Sequence, residues 1–121
     1  NALFRGEWSR GSLPVSTPIA VSEGQSTGAG EERTFHIYNQ YVIRAEKRDE
    51  LRDWLQQRRI STEIYYPLGL HQQKCLTDIL TPPPMVQTEK AAAETLALPV
   101  YPGLTSEMQE YVVKSIAQFY R

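Results

Sequence analysis

Apolar positions are spread unevenly along the chain. Residues 1–34 hold 10 of them and residues 35–121 hold 39, so the second stretch supplies a modest core behind a more polar leader. His36 to Arg44 (HIYNQYVIR) is dense in β-branched and aromatic residues and predicts a strand. Alternation assigns Ile37, Asn39, Tyr41 and Ile43 to one face and Tyr38, Gln40, Val42 and Arg44 to the other. Leu51, Trp54 and Leu55 then share one stripe, which predicts a helix over about Lys47 to Arg59. Its last turn carries Arg58 and Arg59 at the negative end of the helix dipole. Thr62 to Tyr66 predicts a second short strand, stopped by Pro67.

Pro82-Pro83-Pro84 excludes helix and ladder alike. A helix is expected next from about Val86 to Leu96, where small Ala92 and Ala93 suit close packing. A short edge strand follows at Ala97 to Val100, because Pro99 cannot donate to a central ladder. Thr105 is the natural N-cap of a last helix, with Glu107 in its first turn. Met108, Tyr111, Val112, Ser115, Ile116 and Phe119 trace the most regular amphipathic stripe in the chain. Ahead of all this, Leu13 to Val21, with Pro14 and Pro18, reads as an extended or edge segment. Ser22 to Gly30 reads as a flexible loop. The predicted organisation is a leader, residues 1–34, and one α/β domain, residues 35–121. That domain is a small sandwich of about three strands with helices on one face.

Charge narrows the function classes. Thirteen basic against fourteen acidic residues give a net charge of −1 and a pI near 6.2. That balance offers no footprint for nucleic acid or an anionic membrane. Apolar runs of a few residues exclude a transmembrane helix, and no signal-peptide pattern opens the chain. A lone cysteine, Cys75, forms no internal disulfide, and two histidines without neighbouring thiols argue against structural zinc. The expected setting is reduced and cytoplasmic.

Generic catalytic signatures (GxGxxG, GxxxxGK[ST], HExxH and GxSxG) are absent. Cys75 lies near Lys74 and His71 but reads as an ordinary cysteine in a loop or short helix. Lys47, Lys74, Lys90 and Lys114 read as solvated surface residues. The informative stretch is Tyr65-Tyr66-Pro67-Leu68-Gly69-Leu70-His71-Gln72. Tyrosine hydroxyls, an imidazole and a carboxamide at a strand end suit stacking on, and hydrogen bonding to, a polyhydroxylated ligand. On the residues alone a second reading stands beside it: Tyr65 and Tyr66 straddle the sheet and His71 caps local backbone. Asn39 and Gln40 pose the same choice between a solvated face and a ligand.

Taken together, HIYNQYVIR, the helix ending near RRIST, EIYYPLGLHQQ and ETLALPVYPGLTSEMQEYVV resemble successive landmarks of one family's C-terminal domain. That family is the DegT/DnrJ/StrS group of pyridoxal-phosphate-dependent nucleotide-sugar aminotransferases. The resemblance runs from about Phe35 to Tyr120. It departs at Gly69, where the family's YPxPLH run carries proline. It implies the small C-terminal domain of a fold type I aminotransferase, built on a mainly antiparallel sheet. It also implies a full-length enzyme that moves an amino group from an amino acid, commonly glutamate, to a nucleotide-linked keto-sugar. The Schiff-base lysine and most ligands of pyridoxal 5'-phosphate would lie in a preceding large domain, and the full-length protein is expected to be a homodimer. By resemblance, His71 and Tyr66 contact the sugar or its diphosphate, with Asn39, Gln40 and Tyr65 as further candidates. The chain by itself is expected to be inactive and to bind no cofactor covalently. Two alternatives accompany this reading: a pyridoxamine-dependent sugar dehydratase of the same family, and a non-catalytic ligand-binding or dimerisation module.

Overall fold

The computed structural model describes residues 2–7, 14–20, 37–77, 79 and 81–121. Within them lie α1 (Ala2–Glu7), β1 (Val15–Ser16), β2 (Tyr41–Ala45), α2 (Arg48–Gln57), α3 (Lys74–Thr77), α4 (Val86–Glu94), β3 (Thr95–Leu98) and α5 (Ser106–Phe119). The strands form one antiparallel sheet in the order β1-β2-β3. The loop expected at Ser22 to Gly30 and the start of the first strand at His36 lie outside the described residues. No helix among the described residues is long and apolar enough to cross a membrane.

Register decides which face is core. Ile43 opposes Leu96 and Ala45 opposes Val15, and all four are buried on one side. α2 and α5 cover that side: Leu51 and Leu55 from one helix and Val112, Val113 and Ile116 from the other complete the cluster. Ile43, Leu51, Leu55, Leu96 and Ile116 are fully buried, each stabilising the fold by about 1.5–3 kcal/mol in transfer terms. Phe4 of α1 joins the same cluster from the leader. Val42 and Ala97 form the opposing pair on the other face.

The predicted strands shift in instructive ways. β2 begins at Tyr41, so residues 37–40 of the predicted strand lie outside it. Tyr38 takes a left-handed φ of 45°, which breaks the alternation and turns its ring back to Tyr41 at 5.5 Å between centroids. Ile37 is consequently 88% exposed. The helix expected to reach Leu96 stops at Glu94, where Thr95 Oγ1 donates to Ala91 O at 2.8 Å. Leu96 gains more as a strand residue facing Ile43 than as a helical one. The strand expected at Thr62 to Tyr66 reduces to one bridge: Glu63 N donates to Ala97 O (3.1 Å) and Ala97 N to Glu63 O (2.8 Å). After it, Tyr65-Tyr66-Pro67 leaves the sheet.

Two buried polar contacts tie the helices together. Arg48 opens α2, an unfavourable place for a cation on dipole grounds. It is nonetheless buried, because its Nη1 donates to Ala92 O and Thr95 O at 3.0 Å each, closing the C-terminal end of α4. Trp54 Nε1 donates to Ser115 O at 2.9 Å and joins α2 to α5. At the chain's end the Tyr120 hydroxyl donates to Glu46 O. Burial, then the nearby carboxylates of Glu46 and Glu50, push that phenol up to about 12.

Candidate functional site

The sheet face turned away from α2 and α5 is the floor of an open groove of about 500 Å³. Val42, Thr95 and Ala97 make the floor, since strand alternation presents them opposite to Ile43 and Leu96. Thr88, Ala91 and Ala92 of α4 form one wall, where methyl-sized side chains leave room beside the helix. The second wall is the segment that leaves the Glu63 bridge: Tyr65, Tyr66 and Leu68, followed by Gly69 and Leu70. Pro67 prevents that segment from continuing along the edge of β3. Gln40, just before β2, and Glu63 complete the lining.

The chemistry of this lining is specific. Tyr66 is 74% exposed and Tyr65 47%, so each offers a ring face and a phenol to a ligand. The Gln40 carboxamide donates and accepts, and the Thr88 hydroxyl does the same. Apart from the Glu63 carboxylate, no lining residue carries a charge. The groove therefore suits a neutral, hydroxyl-bearing ring held by stacking and hydrogen bonds. It contains no cation to meet a phosphate. A covalently held aldehyde cofactor does not fit it either, because none of the four lysines lines it. Lys90 pairs with Glu94 at 3.8 Å, Lys114 with Glu110 at 2.9 Å, and Lys47 and Lys74 are exposed. Among the described residues there is no cluster of side chains able to hold a metal ion.

Of the five residues expected at a site, the groove brings together Tyr65, Tyr66 and Gln40. Asn39 is exposed and outside the lining. His71 lies beneath the loop in a short 3₁₀ turn, Leu70–Gln72. Its Nε2 lies 3.1 Å from Glu89 Oε1, and its side chain is 11% exposed. Cys75 is exposed and apart from the groove. Sequence reading missed Thr88 and Ala91, although the small residues of α4 were the available signal. It also missed Glu89, which no local spacing links to a histidine 18 positions away.

Comparison with known proteins agrees with this architecture. Residues 15–117 match the DegT/DnrJ/EryC1/StrS aminotransferase family. The chain is 47% identical over 88 residues to a pleiotropic regulatory protein of Geobacillus stearothermophilus, covering 72% of this chain and 24% of that protein. It is 30% identical over 88 residues to the 3-oxo-glucose-6-phosphate:glutamate aminotransferase of Bacillus subtilis strain 168, covering 71% and 20%. It is 26% identical over 84 residues to the dTDP-3-amino-3,6-dideoxy-alpha-D-galactopyranose transaminase of Aneurinibacillus thermoaerophilus, covering 69% and 23%. Among solved structures, DesV of S. venezuelae in complex with a ketimine intermediate superposes with a TM-score of 0.64 at 25% identity. That match takes in 98% of this chain and 30% of DesV. The chain spans between a fifth and a quarter of the length of these curated relatives. With residues 15–117, most of its length, matched by the family model, the chain belongs to the DegT/DnrJ/EryC1/StrS aminotransferase family.

Proposed function

We propose that this chain is the C-terminal small domain of a cytoplasmic, homodimeric sugar aminotransferase, and that its groove receives the sugar ring of a nucleotide-linked keto-sugar. The observation that carries this reading is the pairing of two accessible tyrosines with an uncharged, hydroxyl- and amide-bearing lining. Such a lining recognises a glycosyl ring and leaves its anionic handle to other residues. The amino donor is an amino acid, glutamate by resemblance. Pyridoxal 5'-phosphate, when bound by the large domain, supplies the electron sink for amino transfer. The share of this domain is orientation and closure. Tyr66 stacks on the ring, Tyr65 and Gln40 hydrogen-bond its hydroxyls, and the apolar floor excludes water. His71 supports the site from behind the loop, and Asn39 stays a further candidate contact by resemblance.

The test is Tyr66→Ala in the full-length protein. The KM for the keto-sugar nucleotide is expected to rise about tenfold or more, a loss of roughly 1.4 kcal/mol or more. The amino-acid half-reaction should stay unchanged. An unaltered sugar KM overturns the assignment of the groove.

The regulatory name of the relative that shares 47% identity favours a second reading, a non-catalytic ligand-binding or dimerisation module. A dehydratase of the same family is the third. A full-length protein that transaminates a sugar in vitro eliminates the second, and the residue at the cofactor's amine position separates the third from the first.

A further inference from the structure

His71 is held on two sides, by Glu89 of α4 at one ring nitrogen and by the back of the Gly69 wall at the other. Its Nε2 faces Glu89 Oε1 at 3.1 Å. The same carboxylate oxygen accepts from Met85 N at 3.3 Å, at the residue that opens α4. The other ring nitrogen, Nδ1, is buried without a partner and lies against Gly69. A Cβ built on Gly69 would come within 2.6 Å of His71 Cε1, 2.8 Å of Nδ1 and 3.0 Å of Thr88 Cγ2. Gly69 itself has φ −61° and ψ 151°, a conformation open to any residue, proline included. The demand for glycine here is spatial: the imidazole occupies the volume a side chain would fill.

These contacts select one tautomer. The Glu89 carboxylate accepts the Nε2 proton, so the neutral ring leaves Nδ1 bare. A bare acceptor against a glycine Cα costs less than a buried N–H with nowhere to point. The loop is pinned once more by Gln72, whose side-chain Oε1 accepts from Gly69 N at 3.1 Å while its backbone N–H donates to Gly69 O at 2.9 Å.

We propose that Glu89 is a positioning residue. Through His71 it fastens the Tyr65–Leu70 loop to the start of α4, and so sets the Tyr66 ring at the mouth of the groove. Gly69 is the vacancy that lets the imidazole fold beneath the loop. His71 thus acts behind the ligand wall and touches no sugar. The clause concerning ligand placement rests on the groove reading above; the fastening itself does not.

The experiment uses the full-length protein with 15N-labelled histidine, and Glu89→Gln and Glu89→Ala variants. In the parent, His71 is expected to give the Nε2–H pattern of ring shifts. Glu89→Gln keeps that pattern, because its amide oxygen still accepts, and Glu89→Ala loses it. Hydrogen exchange of the Gly69, Gln72 and Gln73 amides should quicken about tenfold in Glu89→Ala and in Gly69→Ala, the worth of one charge-assisted hydrogen bond. It should stay near parental rates in Glu89→Gln. A ring carrying its proton on Nδ1, or loop exchange indifferent to Glu89→Ala, overturns the proposal whatever the groove binds. The KM for the keto-sugar nucleotide completes the set. Loosened exchange with an unchanged KM in Glu89→Ala overturns the positioning role when Tyr66→Ala does raise KM. When Tyr66→Ala also leaves KM unchanged, the groove reading has failed and the fastening stands alone.

Discussion

Arg48 shows how a single side chain joins distant parts of this fold. One guanidinium nitrogen meets two carbonyls, Ala92 O and Thr95 O, more than forty positions away in sequence. Nε meets Asp49 at 2.7 Å, close to solvent. Arg48→Met keeps the aliphatic stem and removes the donors, leaving carbonyls at the end of α4 without their partner. It should destabilise the protein by about 1–3 kcal/mol, read as a lowered urea midpoint with an unchanged slope. Nothing in the local sequence announces this role, because an arginine two positions before Glu50 reads as one more charge on a solvated helix. Leu51, Leu55 and Ile116 were legible for the opposite reason: their role follows from a local period, and burial follows from the period.

At the scale of elements, α2 is the clearest case of local chemistry deciding a boundary. Ile60 N donates to Leu55 O and Arg59 N to Gln56 O, at 3.0 and 2.9 Å. Arg59 takes a left-handed φ of 59°. This is the reciprocal helix stop that glycine usually occupies, completed by Ile60 packing beside Leu55 in the core. Arg59→Gly relieves the left-handed strain and pays back part of it in unfolded-chain entropy. It should stabilise by about 0.5–1 kcal/mol, measured by thermal unfolding. The helical periods of α2 and α5 were readable to within a turn, and Thr105 caps α5 as expected, accepting from Met108 N at 3.3 Å. Strand ends were less readable. The break at Tyr38 and the start of β3 at Thr95 depend on pairing partners far away in sequence, which no window of residues contains.

For the whole molecule, the division of labour matters most. The groove has aromatic rings, amides and hydroxyls but no lysine and no cation. The isolated 121-residue chain is therefore expected to develop no lysine-linked absorbance with pyridoxal 5'-phosphate and to turn over no keto-sugar. Saturable lysine-linked absorbance that is lost on substituting one of its four lysines would contradict this. The candidate site was half visible beforehand. Tyr65, Tyr66 and Gln40 stood out as polar aromatics and an amide at strand ends. The inward placement of His71 did not, because it arises from an absent side chain at Gly69 and a carboxylate on another helix.

The Glu63 bridge has one more consequence. By taking both the amide and the carbonyl of Ala97, it seals the outer border of β3 with a single residue and places a carboxylate there. The opposite border is β1, only two residues long and flanked by Pro14 and Pro18. Among the described residues neither rim offers a ladder long enough to recruit another ribbon, so this sheet should resist growing into fibres.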